Sequence, residues 1–201
     1  KIKKNYEGIY LNNEVEDIKN GEEPGSKYYT DYLDKDKNDL PFIRTSDLIN
    51  YQIDLFPDNF IPKNIAKDFM VDLKKNDILF TKDGKIGSTG MVVEEDIDKA
   101  ILSAGITRIR LKKNSKITPE YLFLALSIKE VGHYQADQKT VVASTLPHLK
   151  EGQILDFLIP QLDKNTSNKI SELIKQSFEK KNQCKILLKD IRKMMDNYYS
   201  I

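Results

Sequence analysis

The last forty residues of the chain carry an apolar stripe that is too long for one face of a small domain to cover. Between Ile170 and Tyr198 the sequence has neither Gly nor Pro, and apolar residues recur at alternating steps of three and four. This spacing puts them on one face of a helix about four heptads long, roughly 45 Å at 1.5 Å per residue. The sequence therefore predicts a coiled-coil helix that needs a partner, with a seam that includes Leu173, Leu187, Ile191 and Met194.

The residues before this helix have the composition of one mixed domain. The chain has 201 residues, of which 39% are hydrophobic and 31% charged, enough for one globular domain and an appended helix. No apolar run reaches membrane-spanning length, no signal peptide is visible, and Cys184 is the only cysteine, so we expect a cytoplasmic protein without a membrane segment. We predict an α+β fold, with a twisted β-sheet and short helices over residues 1–160 and the long helix over residues 161–201.

The charge of the chain is unevenly distributed. The net charge is only +1, but residues 164–196 carry nine Lys/Arg and four Asp/Glu, so this segment has a net charge of +5 and the rest −4. A basic helix of this kind can lie along phosphate groups. A charged helix exterior is also the ordinary face that a helix presents to water, and composition does not separate the two interpretations.

Strand and helix signals alternate through the first 160 residues. Residues 41–44, 77–81 and 107–111 have strand character, and 91–93 is the expected return partner of 77–81. Thr45 and its neighbours predict the cap of a short helical turn through Leu48 and Ile49. A buried helix is predicted over 121–128, with Thr118 as its N-cap and Pro119 in its first turn.

A glycine-rich loop follows the second predicted strand. Gly84, Gly87 and Gly90 are spaced three residues apart, but Lys85 precedes Gly87 and a strand follows, so neither the P-loop nor the dinucleotide motif fits. What remains is a β-connection whose tip is either an exposed turn or a contact site for phosphates and base edges. The side chains that would make such contacts are those of Lys82, Lys85, Ser88 and Thr89.

No catalytic set is evident in the sequence. Asp58, Asp72 and Lys74 imitate a metal-dependent nuclease, but such a triplet arises readily by chance in a chain so rich in charge. His133 and His148 are fifteen residues apart without a nearby cluster of acids and cysteines, which favours a loop residue and a turn residue. The Asn/Asp-Pro-Pro-aromatic motif of adenine methyltransferases is absent. We therefore expect neither catalysis nor a bound metal or cofactor.

The order of these pieces resembles the target recognition domain of type I restriction-modification specificity subunits. The resemblance rests on residues 41–48, 77–87, 107–111 and 119–122, and on 144–149 leading to Ile159-Pro160 and the long helix. It covers about residues 9 to 198. The chain departs from the family where residues 161–167 replace a Pro-rich turn and a Glu-Gln pair. It also has one recognition domain and one helix where the family's usual member has two of each.

The resemblance implies a non-catalytic subunit that reads part of a double-stranded DNA site. Such a specificity subunit or half-subunit would act with a methyltransferase subunit, with or without a restriction subunit. Its helix would pair with a second copy or with a second specificity helix. One alternative is the C-terminal recognition domain of a fused adenine-N6 methyltransferase or restriction enzyme, and another is a protein-interaction module that does not touch DNA.

Outside the glycine loop, two arginines are the best candidates for base or phosphate contact. Arg44 and Arg108 fall on predicted strands, and an arginine at a strand edge can present its guanidinium bidentately to guanine. Arg110 shares a strand face with Arg108, where a surface ion pair competes with DNA contact. The remaining residues of the predicted DNA-binding set are Thr45, Gln138 and Lys139.

Overall fold

The computed structural model describes residues 7–31, 35–36, 39–54, 56–94, 100–140 and 147–199. The chain divides into two compact units, Lys1–Leu162 and Asp163–Ile201. The first unit combines strands and short helices and the second contains one long helix, which confirms the predicted α+β fold. Positions 144–146 of the motif in the sequence fall outside the described residues.

The strands and helices are short except for the last helix. The strands are β1 (Gly8–Tyr10), β2 (Val15–Asn20), β3 (Thr30–Asp31), β4 (Leu40–Ile43), β5 (Leu48–Ile49), β6 (Gln52–Ile53), β7 (Asn59–Ile61), β8 (Ile78–Thr81), β9 (Thr89–Met91), β10 (Ile101–Leu102), β11 (Ile106–Leu111) and β12 (Leu158–Pro160). The α-helices are α1 (Lys63–Ala66), α2 (Pro119–Ser127), α3 (Tyr134–Lys139), α4 (Glu151–Leu155) and α5 (Lys164–Tyr199). A π-helical turn, Lys129–His133, joins α2 to α3.

The central sheet of the first unit has the strand order β2-β11-β8-β9, and its neighbouring strands are antiparallel. The predicted pairing of β8 with a return strand is confirmed, because Ile78 pairs with Met91 and Phe80 with Thr89, but this strand is Thr89–Met91 and not 91–93. Strand β11 was expected to be half exposed. It instead pairs with β2 on one side and β8 on the other, and its first four residues are buried.

A second sheet has the order β10-β4-β7-β3, in which β10 and β4 are parallel. Its strands and α1 enclose a small apolar cluster that contains Phe42, Ile61, Ala66 and Ile101. A larger cluster under the central sheet includes Leu79, Val92 and Ile106 together with residues from β4, β5 and β6. The apolar residues of the predicted strands therefore form the core of the first unit.

The short helical turn predicted through Leu48 and Ile49 is wrong. Thr45–Asp47 forms a 3₁₀ turn, but the next two residues form β5, which pairs with β6. The two residues between these strands, Asn50 and Tyr51, both have positive φ, 51° and 70°. Two-residue hairpin turns of this geometry match the twist of the strands they connect, so the hairpin replaces the helix.

The helix predicted after Thr118 is confirmed. The Thr118 side chain accepts a hydrogen bond from the Tyr121 N–H at 3.1 Å, and Pro119 occupies the first turn. Residues on most faces of α2 are buried, and the Tyr121 hydroxyl donates to the Pro160 carbonyl at 2.6 Å. The cap and this bond hold α2 against the strand that closes the first unit.

The second unit is the long helix that the stripe predicts. Helix α5 has 36 residues, about 54 Å at 1.5 Å per residue, and the Asp163 carboxylate accepts the N–H groups of Asn165 and Thr166 at its start. The seam is exposed along this helix: the exposed fractions are 57%, 62%, 56% and 70% for Leu173, Leu187, Ile191 and Met194. Cys184 is exposed as well. No helix among the described residues is long and apolar enough to cross a membrane.

Two glycine substitutions should have opposite effects on stability. A Cβ at Gly132 would lie 1.9 Å from the Leu126 carbonyl oxygen, whereas a Cβ at Gly152 in α4 meets nothing within 4 Å. We expect Gly132→Ala to lower the free energy of unfolding by about 1–3 kcal/mol or more, because backbone must move. Gly152→Ala should raise it by about 0.5–1 kcal/mol, the gain of Ala over Gly in a helix. Urea unfolding measures both, and equal midpoints would contradict the tight packing at Gly132.

Candidate nucleic-acid interface

The glycine loop between β8 and β9 is a closed turn held by a buried threonine. The Thr81 hydroxyl donates to the Lys85 carbonyl at 2.5 Å and accepts the Ser88 N–H at 2.9 Å. The Thr81 carbonyl accepts the Gly87 N–H at 3.0 Å. Gly84 and Gly87 have φ of 64° and 95°, a region that L side chains rarely adopt, so these two positions require glycine. The loop is therefore rigid and has a fixed exposed tip.

Two of the four residues predicted at this tip reach solvent. Lys85 is exposed and Ser88 is half-buried, whereas Lys82 and Thr89 are buried. The Lys82 ammonium lies 3.2 Å from the Asp83 carboxylate, and its side chain is only 7% exposed. The Thr89 hydroxyl donates to the backbone within the loop. The prediction that Lys82 and Thr89 belong to an exposed tip is wrong, because both side chains turn inward at the ends of the strands.

Both histidines lie beside this loop. A Cβ at Gly87 would be 2.7 Å from Nδ1 of His133, so the His133 ring packs on the loop backbone. The Asp83 carboxylate contacts Nδ1 of His148, and the two residues form an isolated antiparallel β-bridge. Their predicted positions, in a loop and a turn, did not connect these histidines to the glycine loop. The signal for His148 was its place in the 144–149 motif, but nothing in the sequence points to His133.

Thr45 also belongs to this neighbourhood. A Cβ at Gly105 would lie 2.8 Å from the Thr45 methyl group and 3.5 Å from the Asp83 Cβ. The Gly105 carbonyl accepts the Lys82 N–H at 2.8 Å. The structure therefore places Thr45, which is half-buried, next to the base of the glycine loop.

Arg44 is partly exposed but already has two carboxylate partners. Its guanidinium lies 3.3 Å from Asp47 and 3.1 Å from Asp58, and 38% of its side chain is exposed. Burial lowers the pKa of Arg44, but the hydrogen bonds to Asp47 and Asp58 outweigh this and raise it above its usual value. Contact with a phosphate or a base would therefore use a guanidinium whose charge is already shared with two carboxylates.

Arg108 is not available at the surface. Its side chain is fully buried, its Nη2 donates to Asp17 at 2.6 Å, and its Nε lies 4.0 Å from Asp77. The Arg108 hydrogen bond holds the pKa of Asp17 below its usual value. The prediction placed Arg108 at a strand edge, which is wrong because β11 is an inner strand of its sheet. We therefore assign Arg108 a structural role, as a buried cation that pairs with Asp17 and lies near Asp77.

Arg110 forms the kind of ion pair that competes with DNA contact. Its Nε and Nη2 donate to the Asp77 carboxylate at 2.8 and 2.7 Å, and its Nη1 donates to Asp72 at 3.0 Å. These bonds, with Asp77 the strongest cause, raise the pKa of Arg110 above its usual value. The same contact lowers the pKa of Asp72.

The remaining two predicted contacts lie on α3. Gln138 is exposed, and the Lys139 ammonium is 4.0 Å from the Asp156 carboxylate. In the parts of the chain that the structure describes, no hydrogen bond or ion pair joins either residue to the glycine loop. The same described ranges contain no group of three or more His, Cys, Asp or Glu that could hold a metal ion.

A family model described as the type I restriction modification DNA specificity domain matches residues 5–189. The chain belongs to this family. It is therefore a DNA specificity domain, a non-catalytic module, which confirms the function expected from the resemblance. The match does not favour the alternative of a fused methyltransferase. None of the curated proteins compared with the chain matches it.

Solved structures share the fold of this specificity domain. The S subunit of the type I restriction-modification system from M. genitalium has 15% identity and a TM-score of 0.61, over 98% of this chain and 46% of that one. The HsdS subunit from Thermoanaerobacter tengcongensis has 16% identity and a TM-score of 0.52, over 95% and 40%. A chain from a structure of type I R-M system assembly and conformational transition has 16% identity and a TM-score of 0.55, over 98% and 44%. The specificity domain thus spans less than half the length of each of these chains.

Removal of Arg108 should destabilise the specificity domain. Arg108→Ala leaves Asp17 without its guanidinium partner and removes a buried cation beside Asp77, so we expect the free energy of unfolding to fall by about 3–5 kcal/mol. Lys19, the exposed residue that pairs with Arg108 in the sheet register, supplies the control. Lys19→Ala should change stability by no more than about 0.5 kcal/mol. A urea midpoint for Arg108→Ala equal to that of the wild type would contradict a structural role.

Proposed function

We propose that this specificity domain recognises double-stranded DNA through the face that carries the glycine loop, within a type I restriction-modification system. The family match supports DNA recognition, and the loop supplies a place for it. The main observation that supports this proposal is the position of Lys85, an exposed cation on a tip whose backbone is held by Thr81. A rigid loop that projects a lysine can position a phosphate without first paying an ordering cost.

Neighbouring hydroxyl groups would allow this tip to recognise more of the DNA than the charge of its phosphates. Ser88 is half-buried beside Lys85, and Thr45 lies at the base of the loop. Hydroxyl groups both donate and accept, so they can contact phosphates or base edges. The His133 ring packs on the loop backbone at Gly87, and His148 contacts Asp83, so both histidines restrict the position of the loop.

Replacement of Lys85 should weaken DNA binding without unfolding the domain. Lys85 is exposed, and its side chain forms no ion pair with any residue that the structure describes. Lys85→Ala should therefore leave the thermal midpoint unchanged. If Lys85 neutralises one phosphate, the slope of log K against log salt should fall in magnitude by about one unit. Fluorescence anisotropy with a labelled duplex across a salt series measures this slope.

A matched control comes from Lys67, an exposed lysine directly after α1. Lys67→Ala makes the same charge change and should leave the slope near the wild-type value. A similar decrease in both variants would mean that Lys85 acts only through net charge. Lys82→Ala tests a different property, because the Lys82 side chain is buried, and its main effect should be on stability.

Helix α5 is the proposed assembly element. Its seam is exposed in the single chain, and burial of each such apolar side chain contributes about 1.5–3 kcal/mol. We propose that this seam packs against a matching helix, either from a second copy or from a second specificity helix. The solved structures in this family are about twice as long as this chain, which leaves room for a second set of elements. We also propose that the assembly includes a methyltransferase subunit, with or without a restriction subunit.

Charges placed in the seam should abolish pairing. Leu187→Lys with Ile191→Lys removes two exposed apolar side chains and sets two cations where a partner helix would lie. We expect the wild-type chain to dimerise at tens of micromolar and this variant to be a folded monomer, as measured by light scattering. Asn168→Lys with Asn197→Lys adds the same charge at exposed polar positions of α5 that lie outside the seam, and this variant should still dimerise. A monomeric wild-type chain would refute pairing between two copies.

A further inference from the structure

A positively charged cleft opens at the end of the central sheet away from the glycine loop. Strand β8 runs from Ile78 to Thr81, and the glycine loop follows Thr81. The cleft lies at the other end, where Ile78 pairs with Ile109 of β11. It has a volume of about 420 Å³, and five cations face two carboxylates in its lining: Lys74, Lys75, Arg110, Lys112 and Lys113 against Glu16 and Asp77. We call it the lysine cleft.

Two turns build the walls of the lysine cleft. In the first, the Asp77 carboxylate accepts the Lys74 N–H at 2.8 Å, and the Lys74 carbonyl accepts the Asp77 N–H at 3.0 Å. In the second, the Lys112 carbonyl accepts the Ser115 N–H at 3.1 Å. Each turn carries two consecutive lysines, and the side chains of all four are exposed. The backbone of both turns is therefore fixed while the ammonium groups remain accessible.

Most of this positive charge is not neutralised locally. Lys75, Lys112 and Lys113 form no ion pair within the ranges that the structure describes. Lys74 lies 3.5 Å from Asp72, but both side chains are about 60% exposed, and such a surface pair contributes little. The Lys112 ammonium donates to the Asn13 carbonyl at 2.8 Å, a contact that orients its charge without cancelling it.

Arg110 forms the floor between these turns. Its hydrogen-bonding N–H groups are largely used by Asp72 and Asp77, so it contributes positive potential more than new hydrogen bonds. Its side chain is 13% exposed, and its contact with the Asp77 carboxylate holds it in one position. A ligand for this cleft would therefore meet four accessible ammonium groups above a fixed guanidinium.

We propose that the lysine cleft binds phosphate groups of a DNA backbone. This inference rests on the proposed function, since it assumes that the domain meets duplex DNA. Lysine is depleted at protein–protein interfaces, where aromatic residues and methionine are enriched, and the residues that line the cleft include neither. Paired ammonium groups on fixed turns suit phosphates, which they neutralise as point charges.

Such a contact would give the two ends of the central sheet different roles in DNA recognition. Phosphate contacts set the position of a protein on the duplex and carry no sequence information directly. The lysine cleft would then supply affinity that is independent of sequence. The four residues of β8 separate it from the glycine loop by about 13 Å, at 3.3 Å per residue, so both could meet one duplex.

The test removes one lysine from each turn. We expect Lys75→Gln with Lys113→Gln to lower the salt slope for a random-sequence duplex by about two units, one for each phosphate that is no longer neutralised. Lys75→Arg with Lys113→Arg keeps the charge and should restore the slope. Lys63→Gln with Lys67→Gln removes two exposed lysines that do not line the cleft and should change the slope much less.

The outcomes separate this inference from the proposed function. An unchanged slope for the cleft variant, with a reduced slope for Lys85→Ala, would overturn the lysine cleft and leave the glycine loop in place. If the cleft variant kept the wild-type salt slope but no longer co-purified with a methyltransferase subunit, the lysine cleft would bind an acidic protein partner and not DNA. A wild-type chain that binds no duplex at low salt would overturn both. Urea midpoints near the wild-type value in all variants keep the comparison valid, because every substituted side chain is exposed.

Discussion

One buried carboxylate, that of Asp77, organises the central sheet and the lysine cleft at its end. It is 2% exposed, and it accepts hydrogen bonds from the Lys74 N–H and from two nitrogens of Arg110, with Arg108 at 4.0 Å. A buried charge is tolerated when its hydrogen-bonding capacity is filled, and here Arg110 and a backbone amide fill it while Arg108 adds a second positive charge nearby. The turn before β8, the end of β11 and the floor of the lysine cleft all depend on this residue. Of the two arginines on β11, Arg110 is the direct counter-ion of Asp77, whereas Arg108 pairs mainly with Asp17.

Much of the fold follows from patterns that are local in the sequence. The α5 stripe, the Thr118 cap and the β8–β9 hairpin were predicted because each depends on spacing or on a few neighbouring residues. The hairpin after Thr45 was missed because its turn uses Asn50 and Tyr51, which carry no glycine signal for positive φ. The position of a strand within a sheet is not local either, so β11 was expected at a half-exposed site rather than between two neighbours.

The site was predicted less well than the fold, for a physical reason. A lysine or arginine on a strand has the same sequence pattern whether it reaches solvent or a buried aspartate. The inward turn of Lys82 toward Asp83 and the pairing of Arg108 with Asp17 are settled only in the folded chain. Lys85 remained a sound candidate because glycines surround it and keep it in a turn. The lysine cleft could have been suspected from two Lys-Lys pairs in turns that flank paired strands, but only if the register of those strands were known.

The pairing of β1 with β12 has a consequence for how such a domain can change over time. Gly8 pairs with Pro160 and Tyr10 with Leu158, so the chain enters and leaves the first unit at adjacent points of a two-stranded ribbon. A unit whose ends meet can be replaced, lengthened or rearranged internally without altering the segments on either side. The ribbon therefore makes the first unit exchangeable as a single piece. Helix α5, which begins at Lys164, lies outside the exchanged segment and stays the same.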